Sequence, residues 1–125
     1  MLKDLLSVKI KQWLDKSIKS ELTASHTYKH VSNQLQRLGY FGGQKYFAKE
    51  SADELTHYQI IADYCNDMGW VASLPQIDKV VAPITTLNSA ISKGYEMELA
   101  LLEQYEEFYD YAKEECCITA QFLLQ

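Results

Sequence analysis

Apolar positions recur at helical spacing through most of the chain. From Leu5 to Leu38 there is neither Pro nor Gly, and Ile10, Leu14, Ile18, Ser25, Tyr28 and Leu35 fall on one stripe. The spacing predicts a first helix that stops at Gly39, a residue free to take the positive φ of a helix C-cap. Tyr40-Phe41-Gly42-Gly43 reads as a short connection. A second Pro-free run, Gln44 to Met68, puts Phe47, Tyr58, Ile61, Cys65 and Met68 on one face and ends at Gly69. A link this short makes the two helices antiparallel neighbours.

Residues 70–84 break the pattern. They hold both prolines, Pro75 and Pro83, and an extended-looking Val80-Val81, so they read as a long crossover. Thr85 or Thr86 can cap a third helix over Leu87 to Glu114. Its apolar stripe includes Ile91, Tyr95, Leu101, Leu102, Tyr105 and Tyr109. Gly94 inside it costs about 1 kcal/mol against Ala, which implies close packing or local loosening. Ile118, Phe122 and Leu123 restart the pattern as the first turns of a fourth helix, and most of that helix is expected to be missing from this chain. The arrangement is an all-α, antiparallel four-helix bundle with one long crossover between the second and third helices, in a single domain over residues 1–125.

Composition narrows the function. Of 125 residues, 47% are hydrophobic, and a chain of this length buries a core without disulfides. The net charge of −5 and the absence of a Lys/Arg run argue against a nucleic-acid partner. No apolar stretch nears the ~18 residues of a membrane span. Met1 to Trp13 carries Asp4 and no small-residue cleavage site, which reads as mature protein. Three cysteines, Cys65, Cys116 and Cys117, are an odd number, and the vicinal pair suits a reducing cytoplasm.

Most of the 17 acidic residues fall on solvated faces. Glu21, Glu54 and Glu98 do not. Glu21 lies on the stripe of Leu14, Ile18, Ser25 and Tyr28. Glu54 is flanked by Phe47, Tyr58 and Ile61, and His57 follows it by one helical turn. Glu98 lies between Ile91, Leu101 and Tyr105. A carboxylate in an apolar interior is costly unless paired or bound to a metal. Three carboxylates and one imidazole from three helices can satisfy one another around one or two cations, and such a donor set suits iron, manganese or zinc. A lone Glu-x-x-His occurs by chance in many helices; the conjunction carries the argument. Tyr28 shares the face of Glu21 and can hydrogen-bond a metal-bound carboxylate. His26 and His30 are an i, i+4 pair on another side, read as solvated. Cys116 and Cys117 lack metal-site spacing and read as structural or surface thiols.

These motifs resemble ferritin. Glu21-Leu-Thr-Ala-Ser-His-Thr-Tyr28 is similar to the family's Glu-Leu-x-Ala-Ser-x-x-Tyr. Phe47-Ala-Lys-Glu-Ser-Ala-Asp-Glu54-Leu-Thr-His57 is similar to its Phe-x-x-x-Ser-x-Glu-Glu-x-x-His, and Asp67-Met-Gly69 and Leu74-Pro75-x-Ile77 continue the likeness. The resemblance implies a non-haem, bacterial-type protein. Such proteins oxidise Fe(II) with dioxygen at an intrasubunit di-iron centre and store ferric oxide in a homo-oligomeric shell, usually of 24 subunits. It implies that Glu21 and His57 bind the first iron, Glu54 bridges, Glu98 binds the second, and Tyr28 assists. Asp53 would face a possible third site, while Thr56 and Gln59 stand where some relatives carry cavity-facing acids. The family's fourth helix adds a Gln or Glu beside the second iron, beyond Gln125 here, so the expectation is an incomplete sequence, a truncated form, or another chain that fills the missing position.

Two other readings share the scaffold. A rubrerythrin-like di-iron peroxidase needs a second Glu-x-x-His on the fourth helix. A bacterioferritin needs a haem-ligating Met just before the second-helix His, where Leu55 and Thr56 stand, so no haem is expected. A third reading is a non-catalytic or truncated shell subunit, against which stand three carboxylates on apolar stripes.

Overall fold

The computed structural model describes residues 1–115 and 117–125. It contains four helices: α1 (Val8–Leu38), α2 (Phe41–Asp67), α3 (Leu87–Glu115) and α4 (Cys117–Leu123). There is no strand among the described residues. The all-α bundle with a long α2–α3 crossover is as the periodicity predicts.

Local chemistry sets the helix ends. The α1 cap is Ser7, whose Oγ accepts from the Ile10 N–H, so the helix starts later than the apolar run. α2 begins at Phe41, with Gly42 and Gly43 in its first turn instead of in the connection. At α3 the choice falls on Thr86: its Oγ1 accepts from the Ser89 N–H, and Ser89 Oγ accepts from the Thr86 N–H, both at 3.1 Å. This is a reciprocal capping arrangement. Gln34 clamps the crossover, donating to the Ala82 carbonyl and accepting from the Ile84 N–H, each at 2.8 Å.

Gly69 turns the chain out of α2 at φ +86°. The N-terminal strap passes directly over it, with the Leu5 N–H donating to the Met68 carbonyl at 3.0 Å. A Cβ at Gly69 would collide with the Lys3 backbone. Gly69→Ala is therefore expected to cost about 1–2 kcal/mol for the left-handed conformation alone, with displacement of the strap added. A urea melt of the variant checks this, and an unchanged midpoint would refute it.

Two apolar clusters fill the bundle. One gathers Ile10, Leu14, Ile18, Ile61, Cys65 and Phe108; the other gathers Tyr28, Val31, Leu35, Phe47, Ile84 and Ala90. Gly94 belongs to close packing, since a Cβ there would press on the Phe47 ring at 3.2 Å. α4 docks on the end of α2, where Phe122 stacks on Tyr64 with ring centroids 4.0 Å apart. The α3 stripe needs correction. Phe108 and Ala112 are its buried residues toward the C-terminus, whereas Ile91, Tyr95 and Leu102 are exposed. α4 is only seven residues long and reaches α3 near its C-terminal end, so it does not cover that face. The reading of Cys116 and of the Cys117 side chain lies outside the described residues.

Candidate metal centre

Between the two apolar clusters lies a polar waist. Ser25 on α1 and Ser51 on α2 exchange hydrogen bonds: Ser25 Oγ donates to the Ser51 carbonyl at 2.9 Å, and Ser51 Oγ donates to the Ser25 carbonyl at 2.8 Å. Small residues let the antiparallel backbones approach. One turn away from this contact, Glu21 and Glu54 come side by side, each only 2% exposed.

Glu21, Glu54 and His57 offer ligand atoms that all lie within 4.8 Å of one another, the one such group among the described residues. His57 Nδ1 is 3.4 Å from Glu54 Oε2 and 3.8 Å from Glu21 Oε2. Neither of those buried oxygens has a hydrogen-bond partner. Two orphaned buried carboxylate oxygens beside an imidazole are an arrangement that a cation would complete. Burial first, and then the adjacent Glu21 carboxyl, push the Glu54 pKa up to about 9; Glu98 and Glu50 add to the effect. The imidazole side is open, as the His57 side chain is 53% exposed. It borders a cavity of about 630 Å³ lined also by Glu21, Tyr105 and Phe122.

Two tyrosines hold carboxylates at this waist. Tyr28 O–H donates to Glu98 Oε1, and Tyr105 O–H donates to Glu21 Oε1, both at 2.5 Å. Burial and the neighbouring carboxylate raise both phenol pKa values well above the usual tyrosine range, so both stay protonated donors. Glu98 is exposed and stands outside the close group. With Glu50 it lines a second, mostly apolar cavity of about 590 Å³, walled by Phe47, Ile91 and Tyr95.

The family model for the ferritin-like domain matches residues 11–125. The chain belongs to the ferritin family. A bacterial non-heme ferritin of Bacteroides fragilis is 29% identical over 76 residues, which is 61% of this chain and 48% of that protein. This chain thus spans about half the length of that relative. A probable bacterial non-heme ferritin-like protein of Haemophilus influenzae is 24% identical over 121 residues, or 97% of this chain and 73% of that one. Among solved structures, the Chlorobium tepidum ferritin superposes with a TM-score of 0.91 at 23% identity, covering 96% of this chain and 74% of that one. An open pore ferritin from Archaeoglobus fulgidus gives 0.90 at 20% identity, covering 95% and 74%. At these identities the structural matches speak for the fold.

In this ferritin the expected ligands divide. Glu21, Glu54 and His57 meet; Glu98 sits on Tyr28; Asp53 points outward into an ion pair with Lys49 at 3.2 Å. Thr56 bonds back to the Ala52 carbonyl and Gln59 donates to Asp63, both on the surface. Of the two histidines expected to be solvated, His26 is exposed, whereas His30 is half-buried. Two residues escaped the sequence reading. Glu50 precedes Glu54 by one turn on the same face, and that spacing was its signal. Tyr105 was read as part of an apolar stripe, yet it contacts Glu21. No helix among the described residues is long and apolar enough to cross a membrane.

Proposed function

We propose that this chain oxidises ferrous iron with dioxygen and stores the ferric product, as a subunit of a homo-oligomeric ferritin shell. The carrying observation is the pair of orphaned buried carboxylate oxygens, Glu21 Oε2 and Glu54 Oε2, beside His57 Nδ1. Iron is the substrate. Glu21, Glu54 and His57 receive the first Fe(II), and Glu54 gives up its proton as the ion enters. Glu98, steadied by Tyr28, offers a carboxylate for a second Fe(II) that Glu54 shares. Anionic oxygen ligands favour the ferric state, and that preference drives oxidation when dioxygen arrives. The surplus of acidic residues draws cations toward the protein. A 24-subunit particle in the cytoplasm is the assembly the family membership favours.

Aerobic addition of Fe(II) tests the reading. The protein is expected to develop near-ultraviolet ferric absorbance well ahead of a protein-free control, and to keep the iron through gel filtration. Oxidation at the control rate overturns it.

A further inference from the structure

The hydrogen bonds at the waist follow a two-fold pattern. Glu21 and Tyr28 are seven residues apart on α1, and Glu98 and Tyr105 are seven residues apart on α3. The helices pair antiparallel, so the tyrosine of each meets the glutamate of the other: Tyr28 with Glu98, Tyr105 with Glu21. The resemblance to the family gives a role to Tyr28 alone. Tyr105 occupies the equivalent place on the opposite side.

The two Glu21 oxygens have different fates. Oε1 accepts from Tyr105 at 2.5 Å, while Oε2 is buried without a partner and faces His57. We propose that Tyr105 is a positioning residue that pins Glu21 Oε1, so that Glu21 presents a single oxygen, Oε2, to the metal. The proposal rests on Glu21, Glu54 and His57 being the cation site. A carboxylate bound by one oxygen needs its other oxygen satisfied, and inside the bundle a tyrosine hydroxyl does this without adding charge. A phenol also holds its direction better than a long flexible donor would, since its ring packs against the apolar cluster of Ile18, Ile61 and Phe108. Without the bond, Glu21 is free to rotate toward two-oxygen chelation or toward the open side.

Co2+ under inert gas is the probe, because its visible spectrum reports ligand number and geometry without turnover. Tyr105→Phe keeps the ring and removes the donor. It is expected to weaken Co2+ binding by about 10-fold or more, the lower end for loss of a ligand's hydrogen-bond partner, and to change the intensity and position of the bound-cobalt bands. Tyr105→His, which retains a ring N–H, is expected to recover part of the affinity and serves if the Phe variant folds poorly by circular dichroism. Parent-like affinity and an unchanged cobalt spectrum in Tyr105→Phe overturn the proposal. Glu54→Ala is the control for the site itself: if it binds Co2+ as the parent does, the failure lies in the site assignment and not in the role of Tyr105.

Discussion

Glu54→Ala is expected to slow aerobic Fe(II) oxidation by about 100-fold or more. Loss of a residue that only supports a metal ligand typically costs 10–100-fold in affinity or activity. Glu54 is a ligand candidate itself and, in the proposed centre, the carboxylate that both ions share. His57→Ala should cost less, nearer 10-fold, because its side chain is half exposed and water can replace the imidazole. Stopped-flow absorbance in the near ultraviolet measures both. The defect should not be one of folding. Two buried carboxylate oxygens, Glu21 Oε2 and Glu54 Oε2, side by side without a hydrogen-bond partner oppose the metal-free fold. Glu54→Gln, which keeps the shape and cannot ionise, should accordingly melt no lower than the parent at pH 8 while losing the ion. A Glu54→Ala protein that oxidises iron at the parental rate would sink the assignment.

The sequence made some of this legible for a physical reason. Glu21 and Glu54 stood out because a carboxylate on an apolar stripe is an energetic anomaly, and anomalies are visible in one dimension. Helix ends at Gly39 and Gly69 were visible because positive φ selects glycine. Tyr105 was not visible in the same way. A tyrosine is at home in an apolar stripe, and the carboxylate it bonds lies 84 positions away. The repeat of a seven-residue Glu-to-Tyr spacing on α1 and α3 was the available signal, and it acquires meaning only once the helices are known to pair antiparallel. The exposed face of α3 escaped for a different reason. Ile91, Tyr95 and Leu102 share the helical period with the buried Phe108 and Ala112, and periodicity cannot tell a covered face from an uncovered one. Gly42-Gly43 read as a connection because glycine usually breaks helices, but a first turn tolerates it when packing holds the rest of α2 in place.

Metal uptake should be steeply pH-dependent, with affinity for Mn2+ or Co2+ rising about tenfold per pH unit for one displaced proton. From pH 6 to pH 8 that is about 100-fold. The sign follows from Glu54. Its usual pKa of 4.5 is raised to about 9 in the folded, metal-free protein, by burial first and then by Glu21 on α1, Glu98 on α3 and Glu50 on α2. The unfolded chain therefore sheds this proton near pH 4.5, and the metal-free fold keeps it until about pH 9. Stability contributed by the protonated form is fully present below pH 4.5 and is lost as the pH climbs toward 9, so the metal-free protein should melt lower at pH 8.5 than at pH 6. Calorimetric titration in two buffers of different ionisation enthalpy should count about one proton released per first ion bound. Affinity that stays flat between pH 6 and 8 would mean that Glu54 is already ionised before the ion arrives. Glu54→Gln should flatten the stability profile of the metal-free protein over the same range. The bound ion removes that slope, because at saturating metal the roughly tenfold gain in affinity per pH unit offsets the stability that the empty fold loses. A rise in pH that loosens the empty bundle thus leaves the loaded one unchanged, which couples the stability of this subunit to its cargo.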